Sequence, residues 1–293
     1  EELIEAAQIQ FSFGEAREFY ERLIKLTPTI EHYFNYAFLL KHLNDFDKAR
    51  THYEEALQAL RVLSKLNSEA YKPHIATTLN NLANLLSSTN ELKQAQDYCE
   101  EALGIYQVLA SLDPKAYKSG VAITLNNLGN LLKNTNELKQ AKDRYEEAIQ
   151  VLLELEEKNP ERYKSDVAMT LNNLGNLYCD MNEFKQARAY CTEALQMRRE
   201  LAEKNPKAHK PEVAATLNNL GNLLKEADER QQAQTYYEEA LQIYRELAEK
   251  NPEAYNPNVA MTLNNLGVLL SIFGEFKEAQ TYHKEALQIR REL

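Results

Sequence analysis

Leucine and small residues recur along this chain at the three- and four-residue spacing of a helix face. Leu217, Leu220, Gly221 and Leu224 form one such run. Ala233, Tyr237, Ala240, Leu241, Tyr244 and Leu247 form a second, after a short break. The pair of runs repeats. Leu-Asn-Asn occurs at Leu79, Leu125, Leu171, Leu217 and Leu263, each 46 residues from the last. Glu-Ala-Leu or a close variant keeps the same phase, at Ala56, Ala102, Ala148, Ala194, Ala240 and Ala286. Each unit therefore reads as two helices. A polar turn joins them at Asn44, Asn90, Asn136, Asn182, Asp228 and Gly274, residue types that tolerate the left-handed conformation ending a helix. Asn159-Pro160, Asn205-Pro206 and Asn251-Pro252 stop the second helix, because proline disfavours helix in the residue before it. The column Pro73, Ser119, Ser165, Pro211 and Pro257 is read as starting the next first helix. First helices are thus expected near 30–43, 74–88, 120–134, 166–180, 212–226 and 258–272.

The run of small and large residues at Leu217, Leu220, Gly221, Leu224, Ala233, Tyr237 and Ala240 resembles the tetratricopeptide repeat. The usual period of that family is about 34 residues, so each unit here carries 12 more, between the Ala-Leu block of the second helix and the next first helix. Long hairpins with Leu-Asn-Asn-Leu in the first helix are similar to those of kinesin light chains. The resemblance implies an all-α fold, a right-handed α-solenoid of tandem hairpins with peptides or partner helices held on its concave side. At the N-terminal end the spacing from Ala16 to Ala49 is only 33. Residues 1–28 are accordingly expected to be a degenerate or truncated unit, followed by six hairpins over 29–293. A hairpin cannot bury its apolar face alone, so stacking supplies the core. The column Gly129, Gly175, Gly221 and Gly267, with Ala37 and Ala83, suits close helix contact.

A helical wheel at about 100° per residue, with Leu79 at 0°, puts Leu82, Ala83 and Leu86 within about 60° of it, facing the paired helix. Leu85 falls near 240°, the side assigned to the neighbouring hairpin. Asn80, Asn84 and Thr77 fall between about 100° and 160°, and Asn81 near 200°. The resemblance places first helices on the concave side, so the arc from about 80° to 200° is expected to face the groove. Its predicted amides are Asn80, Asn126, Asn172, Asn218 and Asn264, with Asn84, Asn130, Asn176 and Asn222. A carboxamide both donates and accepts, and can pair with a guest's backbone. Light-chain-type repeats imply the same use of groove asparagines. Ile123, Met169 and Met261 add apolar contact, and Lys133 and Lys225 give a mild preference for an acidic or carboxylate-bearing guest. The competing reading is an internal polar ladder across repeats. The column Asn81, Asn127, Asn173, Asn219 and Asn265 is assigned to that ladder, the other two columns to the guest. A lysine-rich carboxylate clamp would need basic residues where Asn80 and its equivalents stand.

Composition narrows the function. The net charge of −10 disfavours nucleic acid or an anionic membrane as partner. No run approaches the roughly 18 apolar residues of a membrane span, and no signal-peptide pattern is seen. The chain opens at Glu1 and stops at Leu293 inside a helical pattern, which reads as an excerpt of a longer protein. Three cysteines without paired spacing suit a reducing compartment, hence a cytoplasmic location. Cys99 and Cys191 share a column with Tyr53, Tyr145, Tyr237 and His283, and so read as core fillers. Repeated Glu-Glu pairs such as Glu238-Glu239 read as a solvated face. No metal ligands, cofactor loop or catalytic constellation stand out, and no enzyme activity is expected. The sequence points to a polypeptide-binding scaffold. The alternatives are a sensor segment of a larger signalling ATPase, and self-association through an open C-terminal hairpin.

Overall fold

The computed structural model describes residues 13–292, and every regular element among them is an α-helix. Two compact units divide the chain, Glu1–Val151 and Leu152–Leu293. The first holds α1 (Phe13–Leu26), α2 (Ile30–His42), α3 (Phe46–Ser64), α4 (Ser68–Ser88), α5 (Leu92–Leu112), α6 (Pro114–Asn134) and most of α7 (Leu138–Glu156). The second holds α8 (Pro160–Asp180), α9 (Phe184–Lys204), α10 (Pro206–Glu226), α11 (Arg230–Ala248), α12 (Pro252–Ile272) and α13 (Phe276–Glu292). Of the N-terminal unit expected over 1–28, residues 1–12 lie outside the described residues.

Each hairpin turn is built the same way. Asn44, Asn90, Asn136, Asn182 and Asp228 have φ between 58° and 65°, and Gly274 has 82°. That left-handed residue lets the next N–H fold back onto the last helical turn. Asp45 N donates to Leu40 O at 2.9 Å and Glu229 N to Leu224 O at 2.8 Å, the six-to-one bond of a Schellman ending.

The other end of the hairpin departs from the sequence reading. First helices begin at Ser68, Pro114, Pro160, Pro206 and Pro252, about six residues before the expected starts. Asn67, Asp113, Asn159, Asn205 and Asn251 cap them, each side-chain oxygen accepting from a first-turn N–H. The Asn-Pro pair therefore starts one helix as well as ending another: its proline has no N–H to lose at the first helical position. Pro73, Pro211 and Pro257 lie inside their helices.

Within each unit, second helices pack between successive first helices: α5 against α4 and α6, α9 against α8 and α10, α11 against α10 and α12. First helices also touch, α4 with α6 and α10 with both α8 and α12. Most leucines and alanines of the repeat columns are buried, with Leu287 in the last described helix exposed. Absence of a side chain matters at Gly221, where a Cβ would come within 2.5 Å of the buried Tyr237 ring. Gly175 stands in the same way against Cys191. α2 is the exception in length, with 13 residues against 21 in α4.

Candidate functional site

Within each unit a polar seam ties neighbouring first helices, α4 to α6, α8 to α10 and α10 to α12. Thr78, Thr124, Thr170, Thr216 and Thr262 are buried, and each hydroxyl donates to the carbonyl four residues back. With its proton committed, the hydroxyl is left as an acceptor for the next helix. Asn80 Nδ2 donates to Thr124 Oγ1 at 2.7 Å and Asn218 Nδ2 to Thr262 Oγ1 at 2.9 Å. Asn172 Oδ1 accepts from Asn219 Nδ2 at 3.1 Å. On the wheel, the Asn80 column (about 100°) and the Thr78 column (about 260°) lie on opposite flanks, so asparagine of one repeat meets threonine of the next.

This reverses part of the expected groove. Asn80, Asn126, Asn172 and Asn218 are 8%, 4%, 6% and 3% exposed, too enclosed to hold a guest's backbone. The amides of Asn80, Asn172 and Asn218 join repeats through one bond each, at a contact where leaving the whole amide unpaired would be costly. Asn264, in the last described hairpin, is half-buried. The column assigned to the ladder, Asn81, Asn127, Asn173, Asn219 and Asn265, is half-buried and turned more to the open face, although Asn219 reaches Asn172. The threonine preceding each Leu-Asn-Asn was the sequence signal that the seam existed.

The remaining face has three kinds of residue. Ile123 and Met261 are 43% and 41% exposed, Met169 is half-buried. Asn84, Asn130, Asn176 and Asn222 are half-buried one turn away. Tyr145 and Tyr237, from the second helices, donate their hydroxyls to Asn130 and Asn222 Oδ1 at 2.6 and 2.7 Å. Those bonds orient the carboxamides and leave their N–H groups for another acceptor. Opposite Asn84 and Asn176 the tyrosine is replaced by Cys99 and Cys191, and among the described residues these two amides have no hydrogen-bond partner. Lys133 and Lys225 are half-buried, and Lys225 Nζ lies 3.2 Å from Glu226 Oε1. In unit one this face includes Asn81, Asn84, Ile123, Asn127 and Asn130; in unit two, Met169, Asn176, Asn219, Asn222 and Met261.

The second helices carry another pattern. Arg61, Arg199 and Arg245 pair across 40 residues with Glu101, Glu239 and Glu285, at 2.7, 2.6 and 2.5 Å. These pairs are exposed and read as inter-repeat register, each contributing about 0–1 kcal/mol. Burial pushes the Cys99 and Cys191 thiols up to about 12, so both stay protonated core residues. Arg198 is buried in a column that elsewhere holds Leu60, Tyr106, Leu152, Tyr244 and Arg290, and desolvation lowers its pKa. Among the described residues no group of His, Cys, Asp or Glu could hold a metal ion, and no helix is long and apolar enough to cross a membrane.

Comparison with known proteins finds the same all-helical repeat fold. A crystal structure of BtubC (BKLC) from P. vanneervenii is similar, with TM-score 0.66 and 22% identity, over 84% of this chain and 91% of that one. The apo form of RapI follows with TM-score 0.60 and 15% identity, over 89% and 97%. A kinesin light chain of nearly identical TPR-like repeats from Podosopora anserina gives TM-score 0.57 and 13% identity, over 74% and 94%. No curated protein matches. Tetratricopeptide-repeat models match residues 26–107, 120–200, 166–246 and 259–293. With more than half of its length matched in this way, the chain belongs to the tetratricopeptide-repeat family.

Proposed function

We propose that this chain is a protein-interaction scaffold that holds a partner polypeptide along its first-helix face. The observation that carries the reading is the division between two asparagine columns. One is spent on the seam, whereas Asn84, Asn130, Asn176 and Asn222 keep N–H groups with no partner among the described residues. Beside them stand exposed Ile123 and Met261, apolar side chains that a soluble surface gains nothing by presenting. Amides contact a guest's backbone with little dependence on its sequence, and the apolar positions supply side-chain selectivity. Lys133 and Lys225 add local positive charge to a chain of net −10, tempered at Lys225 by Glu226. The preference for a carboxylate-bearing guest is therefore small.

Selection of ligands from a random peptide library, followed by titration, tests this. Asn84→Ala with Ile123→Ala should weaken a peptide bound by unit one by roughly fivefold to a hundredfold, the equivalent of about 1–3 kcal/mol. The melting temperature should stay within a few degrees of the parent chain. Unchanged affinity in this double variant would overturn the assignment of the face.

A further inference from the structure

One inter-repeat gap, beside the short α2, leaves room for a guest. Tyr106 in α5 inserts between α4 and α6. It is buried, its hydroxyl lies 2.8 Å from Thr77 Oγ1, and its ring covers Gly120. In unit two the same column holds Arg198, bonded to Thr216 and the Glu212 carbonyl, and the buried Tyr244. Long polar-tipped side chains thus plug three of these gaps. Between α2 and α4 the column residue is Leu60, which is shorter and has no polar tip; the column's other leucine, Leu152, is buried.

The space is open there. A cavity of about 410 Å³ is lined by Ile30, Glu31, Phe34, Leu60, Tyr71, His74, Thr77 and Thr78. That size falls within the range of small-molecule pockets, about 300–1,000 Å³. Two features of the chain create it: the leucine in place of tyrosine, and the short α2, which begins at Ile30 and gives the first turns of α4 no partner. Phe34 is held edge-on against Tyr53 with ring centroids 5.5 Å apart, so the apolar wall is fixed. Glu31 and Thr77, both exposed, stand at the mouth beside the first-helix face.

Register supplies the chemistry of the occupant. Glu31 lies 46 positions before Thr77, the residue that meets the Tyr106 hydroxyl in the next gap. Among the described residues the Glu31 carboxylate makes no hydrogen bond or ion pair, and it only accepts. We infer that this cavity takes a tyrosine side chain of the bound polypeptide, the ring against Phe34 and Leu60 and the hydroxyl donating to Glu31. The guest would plug in trans the gap that Tyr106 plugs in cis. The inference rests on the first-helix face being the binding face, and it fixes where an aromatic residue of the guest docks.

N-acetyltyrosinamide, N-acetylphenylalaninamide and N-acetylleucinamide, titrated by NMR, test it without any knowledge of the partner. The tyrosine amide should bind in the millimolar range or tighter, shifting Phe34, Tyr71 and Thr77, with the phenylalanine amide roughly tenfold weaker and the leucine amide weaker still. Glu31→Ala, at an exposed site, should erase the preference for tyrosine over phenylalanine. Leu60→Tyr should fill the gap from within, abolish binding and leave thermal stability unchanged or higher. Tyr106→Leu should open an equivalent cavity between α4 and α6 and add a second site. Retained binding in Leu60→Tyr, or equal affinity for all three amides, would overturn the inference. These probes touch neither Asn84 nor Ile123, so failure of the peptide-face experiment and failure of the pocket are separately visible.

Discussion

Asn218→Ala isolates the seam. The side chain is 3% exposed, and its Nδ2 donates to Thr262 Oγ1 at 2.9 Å. Thr262 keeps its own donation to the Asn258 carbonyl at 2.9 Å, so the substitution removes one buried bond without stranding a donor. The lost bond costs about 1 kcal/mol net, and the small void left at the helix contact adds a comparable amount. Alanine offsets about 0.5 kcal/mol through its better helix propensity. A net loss of about 1–2 kcal/mol is expected. Asn176→Ala, at a half-buried amide without a partner among the described residues, gains the same propensity and loses little, so it should stay within about 0.5 kcal/mol of the parent. Urea titration followed by circular dichroism measures both, and a double-mutant cycle with Thr262→Val should give a coupling of about 0.5–1.5 kcal/mol. If Asn218→Ala and Asn176→Ala unfold at the same urea concentration, or the coupling is zero, the seam has been misread.

Other perturbations address separate parts of the structure. Leu171→Ala, in a buried central column, should cost roughly 2–5 kcal/mol, whereas exposed Glu193→Ala should cost less than about 0.5 kcal/mol, both read from denaturant midpoints. Arg199→Ala, which breaks an exposed pair with Glu239, should cost less than about 1 kcal/mol, and the difference should shrink in 1 M salt, whose screening length is about 3 Å. The Cys99 and Cys191 thiols are raised by burial to about 12, while the unfolded chain releases these protons near pH 9. Over that window the unfolded state binds fewer protons, so stability should fall as pH rises from about 9 to 12, and less steeply in a Cys99→Ala/Cys191→Ala chain.

The repeat itself was legible in the residues, because a period of 46 leaves the same chemistry at each structural position. The turn asparagines and the glycine column both state a local geometric need, and the structure meets each where expected. The helix starts were less legible: Asn-Pro is compatible with ending a helix and with capping one, and here it does both. The asparagine columns were divided wrongly because a wheel for one helix was given one neighbour, on the side of Leu85. A first helix inside an array has a neighbour on each flank, and the one beyond Asn80 takes that amide. The cavity beside Leu60 could not be read from any single repeat, since it arises from comparison with Tyr106 and from the shortness of α2.

The four methionines and the scattered isoleucines give a direct test of the central claim, that the first-helix face is where a polypeptide is held. Methyl-labelled chain should be titrated with a library-selected peptide for each unit. Ile123 should shift with a peptide bound by unit one, and Met169 and Met261 with one bound by unit two. Met197 and Ile243, on second helices, should not move. Shifts confined to Met197, Ile243 and their neighbours, with Ile123, Met169 and Met261 silent, would place the guest on the opposite face and contradict the account.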